Sequence, residues 1–280
     1  MNFRRSVFGV FVALVLVGSS AASGGEATVV KFQLLGRHLV IVRGGIGQLE
    51  ELRFLIDTGA MPTMVDRKIA KKLSVPAQEM EFVAFGKAAR VATAVLPEIR
   101  IGNLKFKPVT AGIADLSFAR GVDAIIGIDV LSRHSFSINY NERQLTFGPV
   151  SPGGAAVRLD TTPPFLAVQI KISGQPFRLW VDTGSGRLVL FQNRIHNRLP
   201  VLPVCGELLI THLAGTSKLN RVLLPSVEVG DSALGRLEGF ISDASVSSYP
   251  PGIDGVLGVR ALSSKSVGFD FERNRLVFGP

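Results

Sequence analysis

The sequence lacks most of the residues on which catalytic and structural devices are usually built. It has one cysteine, Cys205, in 280 residues, so no internal disulfide can form in any compartment. Cys205 lies among apolar neighbours in VLPVCGELLI and is expected to be a buried structural thiol rather than a nucleophile. Histidine is nearly as scarce. His38, His134, His196 and His212 show neither i,i+4 nor HExxH spacing, which argues against a zinc site; His134 and His196 are expected at helix ends. No serine stands in a G-x-S-x-G context, so a serine hydrolase is unsupported. Gly44-Gly45-Ile46-Gly47 is followed by neither Lys-Ser/Thr nor a helical pattern, so it is no phosphate loop. With one Trp, two Tyr and no basic run, nothing points to nucleic acid. No cofactor and no metal are expected.

Long apolar runs are also missing, with one exception. Val7 to Gly18 is apolar, follows Arg4 and Arg5, and precedes small residues from Ser19 to Ser23. That is the layout of a secretory signal, with cleavage expected after Ala22, and the run is too short for a confident membrane span. Export to the periplasm or the medium is therefore expected, with membrane attachment only if the segment stays uncleaved. Losing residues 1–22 leaves 29 basic and 22 acidic residues, a net charge of +7. Such a surface suits anionic envelope surfaces or acidic substrates, although solvation alone accounts for it.

What the chain has in quantity is glycine, 30 residues of it, which favours tight turns and short strands. It also has a repeat. FLIDTGA (54–60) recurs as LWVDTGS (179–185), DAIIGIDVLSR (123–133) as DGVLGVRALSS (254–264), and FSINYNERQLTFGP (136–149) as VGFDFERNRLVFGP (267–280). LPEIRIGNLKF recurs as LPSVEVGDSAL. The offsets are 125, 131, 131 and 128 residues. Four landmarks in one order mean two copies of one unit. The Pro/Gly-rich PVSPGGAA between them reads as a linker. The division is a signal peptide at 1–22, an N-terminal lobe at 23–149, a linker at 150–156 and a C-terminal lobe at 157–280. Each copy is mainly strand. After each Asp-Thr-Gly the apolar residues recur every fourth position, Val65, Ile69 and Leu73 in one copy and Phe191, Ile195 and Leu199 in the other. Each pattern predicts a short amphipathic helix ending before Pro76 or Pro200. Two similar lobes joined covalently suggest packing about a pseudo-twofold axis.

The Asp-Thr-Gly turns carry the chemistry. Apolar Phe54-Leu55-Ile56 delivers Asp57 to a turn in which Gly59 can take positive φ and turn backbone N–H groups to the carboxylate. Asp182, Thr183 and Gly184 repeat it. Twofold packing would bring Asp57 and Asp182 side by side. Repulsion then raises one pKa, and the pair holds one proton, an acid and a base in one site.

Asp57-Thr58-Gly59-Ala60, Asp182-Thr183-Gly184-Ser185 and the apolar-apolar-Gly signatures ending in Gly127 and Gly258 resemble the aspartic peptidase superfamily, and more closely its bacterial retropepsin-like branch. The resemblance covers roughly residues 38–280. It implies a mainly β acid-protease fold of two homologous barrel-like lobes, each with one or two short helices. It implies a cleft between the lobes and endopeptidase chemistry on a peptide or unfolded protein. It also implies that Thr58 and Thr183 interlock the two loops through hydroxyl-to-backbone bonds. A serine after the second Asp-Thr-Gly implies a donor to Asp182 and none to Asp57, so Asp182 is expected to ionise first and Asp57 to carry the proton, with activity at milder acidity. Candidate flaps lie at residues 80–95, with Gly86 and Lys87 near the tip, and at 207–224, with Gly215 near the tip. Both halves of the pair come from one chain, so a monomer is expected. A non-catalytic envelope module that binds peptide through the same fold is the rival. Asp129 is expected to be structural, and Asp123 and Asp254 are expected to form turns.

Overall fold

The computed structural model describes residues 27–84, 87–151, 153–162, 165–212, 215–243 and 251–279; the expected signal segment and Gly86 lie outside them. The chain folds as a mainly β protein with a few short helices. At the centre of each half an apolar strand ends in Asp-Thr-Gly. Leu49–Ile56 runs antiparallel to Leu39–Ile46 and leads into Asp57. Gln175–Asp182 runs antiparallel to Ala167–Ile172 and ends on Asp182 itself. Beside each lies a short parallel strand carrying the second signature. Ala124–Ile126 pairs with Phe54–Ile56, and Gly255–Gly258 pairs with Leu179–Asp182. Every residue of both short strands is buried, which is why each is uniformly apolar or glycine rather than alternating.

The two-residue strand period divides the neighbouring side chains between cores. Phe54 and Ile56 enter a large core that continues into the other half, as do Leu179 and Val181. Leu55 turns the other way, to a small cluster with Ile41, Met64, Leu116 and Ile125. Trp180 does the same, with Ala167, Val189, Phe240 and Val256.

One antiparallel sheet joins the halves. Its strands follow in the order Thr28–Leu35, Gln144–Phe147, Phe136–Asn139, Ser266–Asp270, Arg275–Gly279 and Ala155–Asp160. At its middle Ser137 pairs with Gly268, its own counterpart at the offset of 131 residues. The pseudo-twofold axis therefore passes between them. Phe136 and Phe269, both fully buried, stack there with centroids 4.6 Å apart. Ala155 and Ala156, read from sequence as the end of the linker, already belong to this sheet.

The helix after the first Asp-Thr-Gly spans Arg67–Leu73. The Asp66 side chain caps it by accepting from Lys68 N, Ile69 and Ala70 are buried, and Lys71 and Lys72 sit in the last turn, where they favour the helix dipole. Its counterpart is a single turn, Gln192–Ile195, with no side-chain cap. At its other end His196 leaves the helical region with ψ 131°, so the pattern running to Leu199 does not extend as helix. Short turns also follow each second signature, α-helical at Ile128–Leu131 and 3-10 at Val259–Leu262. His196 caps the second-lobe turn as expected. Cys205 differs from expectation, because it is exposed. It lies on Val204–His212, which pairs with one strand only among the described residues. One face of this apolar run is solvated, and Val204 and Leu209 are exposed with it.

Candidate active site

The two Asp-Thr-Gly turns meet between the lobes, locked by their threonines. Thr58 N donates to Thr183 Oγ1 at 3.0 Å, and Thr183 N donates to Thr58 Oγ1 at 3.1 Å. Each hydroxyl then donates onward into the opposite strand, Thr58 to Val181 O at 2.9 Å and Thr183 to Ile56 O at 2.8 Å. Both threonines are fully buried, so two N–H groups, two hydroxyls and two carbonyls that burial would otherwise penalise satisfy one another. The interlock expected from the resemblance is present bond for bond.

This grip brings Asp57 and Asp182 together, the Asp182 carboxyl lying over Gly59 and the Asp57 carboxyl over Gly184. Each keeps part of its surface open, as a group that must meet a solvent molecule needs. The protein around them is dense enough that desolvation dominates their titration and pushes both pKa values up. The charge of Asp57 raises Asp182 further. A methyl group on Gly59 would stand 2.5 Å from the Asp182 carboxyl carbon, and one on Gly184 2.5 Å from Asp57 Oδ2. Each glycine is thus required by the opposite carboxylate. Neither has positive φ, so steric clearance replaces the conformational reason expected from sequence.

The donors differ from those that the resemblance implies. Gly59 N donates to Asp57 Oδ1 at 2.8 Å, and Gly184 and Ala60 also favour ionised Asp57. Asp182 Oδ1 accepts from Gly184 N at 2.6 Å and Ser185 N at 3.0 Å. The Ser185 hydroxyl donates instead to Arg187 O, 3.3 Å away. Among the described residues neither carboxylate therefore accepts from a serine or threonine hydroxyl, and the two titrate as one coupled pair, both pushed up by burial.

The second signatures brace these turns from behind. A methyl on Gly127 would lie 2.5 Å from Ala60 O, and one on Gly258 2.5 Å from Arg187 N. In the N-terminal lobe the brace is polar. Gly127 N donates to Thr63 Oγ1 at 2.9 Å, and Thr63 donates through N and Oγ1 to Asp129 Oδ1 at 3.0 and 2.8 Å. Burial pushes Asp129 up. In the other lobe Arg260 replaces Asp129, and Gly258 N donates to Arg187 O at 2.8 Å. Thr63 was not distinguishable in the sequence, since its partner lies 66 residues away. Asp123 and Asp254 do more than form turns. Each accepts from the backbone of the Asp-bearing strand, from Arg53 N at 2.8 Å and Arg178 N at 2.9 Å. Arg198 adds an ion pair to Asp254 at 2.6 Å.

Both expected hairpins exist. Gln78–Ala84 pairs with Lys87–Leu96, with Lys87 opposite Ala84, and Val204–His212 pairs with Gly215–Val229, with Gly215 opposite His212. Leu208 and Ile210 of the second hairpin pack on the cluster containing Trp180 and Val256, on the strands that carry Asp182 and Gly258. Among the described residues no group of three or more His, Cys, Asp or Glu side chains is placed to hold a metal ion.

Duplicated β lobes, a shared six-stranded sheet and paired Asp-Thr-Gly turns define the class of two-lobe acid-protease folds. The model of the family described as aspartyl protease matches residues 42–130 and again residues 168–261, well over half of the chain. The chain belongs to this aspartyl protease family, of retropepsin-like type, with two family segments in one polypeptide. No curated protein matched it.

Proposed function

We propose that the chain is an exported aspartic endopeptidase in which Asp57 and Asp182 activate one water against a peptide bond. The observation that carries this reading is the pair of carboxyls, each lying over the glycine of the opposite turn, with the two turns held by reciprocal threonine bonds. The ionised member of the pair takes a proton from the water, the protonated member polarises the carbonyl, and no covalent intermediate is needed. The substrate class is extended peptide or unfolded protein, which can pair with strand edges of the cleft. Lys87 and Gly215 begin the return strands of the hairpins that would cover it. The apolar run after Arg4 and Arg5 supports export, and among the described residues no helix is long and apolar enough to cross a membrane. One chain supplies both carboxylates, so a monomer suffices.

The test is replacement of Asp57 or Asp182 by Asn, with cleavage of a denatured protein as the assay. Each variant is expected to lose on the order of a thousandfold in kcat while unfolding no more easily than wild type. Retained cleavage at either position would remove the proposal, and peptide binding without any cleavage by wild type would favour the non-catalytic module. N-terminal sequencing of the mature protein checks export, with Ser23 expected as the first residue.

A further inference from the structure

The loop that carries Asp57 is seated on a single short stretch of chain. Asp57 N donates to Ile126 O at 3.1 Å, and Ile128 N donates to Ala60 O at 3.0 Å. Gly127 N donates to Thr63 Oγ1 at 2.9 Å. Three consecutive residues, 126–128, thus anchor residues 57, 60 and 63. Between the first two anchors lies Gly59 N, which donates to Asp57 Oδ1 at 2.8 Å. The third anchor is the one made by a side chain, and a hydroxyl can rotate. Asp129 removes that freedom. Its Oδ1 accepts from Thr63 Oγ1 at 2.8 Å and from Thr63 N at 3.0 Å, which fixes the hydroxyl proton on one side and leaves a lone pair for Gly127 N on the other. Thr63 is fully buried, so bulk water does not compete for its hydroxyl. The second lobe is built without this contact. Met64 opposite Ile125 recurs as Val189 opposite Val256, so Leu188 is the counterpart of Thr63, and Arg260 that of Asp129. Both partners are replaced, and neither replacement can act, since leucine has no hydroxyl and arginine no acceptor. Gly258 N donates there to Arg187 O at 2.8 Å, a backbone acceptor that needs no orienting group.

We infer that Thr63 and Asp129 form a positioning pair for the first aspartate turn, Asp129 orienting the Thr63 hydroxyl and the hydroxyl seating residues 57–63 on the second signature. This deepens the peptidase reading and rests on it. Thr63 is shielded from solvent and so acts through the turn, not on substrate. Loss of the pair frees the far end of the loop while the anchors at Asp57 and Ala60 remain. The Asp57 carboxyl is then less well aimed at the water it shares with Asp182, and its Gly59 donor with it. A small displacement of a reacting group costs turnover rather than affinity. The Asp182 turn, which has no such pair, keeps its own brace.

Thr63→Val, Asp129→Leu and the double variant test it, with Thr63→Ser and Asp129→Asn as rescues that keep the hydroxyl and the Oδ1 acceptor. Each of the first two is expected to lower kcat about tenfold with KM changed less than about threefold. The double variant is expected to lose about tenfold as well, since both changes remove one device. The two rescues are expected to stay within about threefold of wild type. Wild-type kcat in Thr63→Val, whatever its melting temperature, would overturn the inference, and so would losses that multiply to about a hundredfold in the double variant. Thr63→Val keeps shape and charge, and it decides the question alone if Asp129→Leu does not fold. A second readout needs no turnover. Carboxyl NMR of the full chain, assigned with Asp57→Asn and Asp182→Asn, is expected to show the lower titration of the pair moving up in Thr63→Val, because the Gly59 N–H that favours ionised Asp57 is less well aimed. An unmoved titration would overturn the inference. A moved titration in a protein whose wild type cleaves nothing would count instead against the peptidase reading.

Discussion

At the scale of single residues, the site depends on groups that have no alternative partner. The Thr183 hydroxyl accepts from Thr58 N and donates to Ile56 O. Thr183→Val keeps the shape and removes both bonds, leaving a buried N–H and a buried C=O unsatisfied. Such a loss costs about 1–3 kcal/mol. Thr183→Ser retains the hydroxyl and is expected to stay within about 1 kcal/mol of wild type. Urea unfolding at one pH checks both, and equal midpoints for Val and wild type would contradict the account. Much of this was legible in advance. The doubled Asp-Thr-Gly told that two carboxylates and two threonines would meet, because symmetry converts one local motif into a contact. The direction of the Ser185 hydroxyl was not legible. It is set by the backbone of Arg187 two residues on, a local geometry that residue identity does not encode.

At the scale of elements, sequence and structure agree where side chains supply both the pattern and the stops. Arg67–Leu73 has a capping aspartate, a buried face and a left-handed Ser74 at its end. Asp66 also accepts from Leu116 N at 3.1 Å, and so ties the helix to the segment lining the small cluster beside Leu55. Asp66→Ala is expected to cost about 1–2 kcal/mol, the upper part of the range for a lost cap, because a second donor is orphaned with it. Asp66→Asn should recover most of that. Thermal unfolding of the three proteins provides the check, and a cost below about 0.3 kcal/mol would mean the cap contributes little. In the second lobe the same apolar spacing yields only one turn. Periodicity announced a buried face there, but it does not encode the extended backbone at His196 that ends the turn. The edge strand Val204–His212 misled in the opposite sense. Its apolar letters suggested burial of Cys205, yet only the face carrying Leu208 and Ile210 packs on a cluster, and Cys205 and Leu209 lie on the side left in water.

At the scale of the whole molecule, the carboxyl pair should govern how stability varies with pH. Asp57, Asp182 and Asp129 all have pKa values raised, chiefly by burial. The native protein therefore keeps protons that the unfolded chain has already released. The stability linked to these groups is fully present below about pH 4, the ordinary carboxylate range, and is lost as pH rises through the raised values. Asp160 acts in the opposite sense, held down by its bonds to Thr162 and by Arg178. Asp270 does too, since Arg275 and Arg273 outweigh its desolvation. Their contribution is present above the ordinary range and is lost as pH falls through their lowered values. A wild-type curve alone mixes the two. The double variant Asp57→Asn, Asp182→Asn separates them, since it removes only the titrating pair and leaves the backbone donors in place. Its melting temperature is expected to exceed that of wild type near pH 7, with the gap narrowing toward pH 4. Because Phe136–Asn139 and Ser266–Asp270 pair across the pseudo-twofold and one core runs through both halves, the gap should be carried by a single cooperative transition. Scanning calorimetry from pH 4 to pH 7 measures it. A gap independent of pH would mean the two acids do not share a desolvated site, and two separate transitions would mean the lobes do not unfold together.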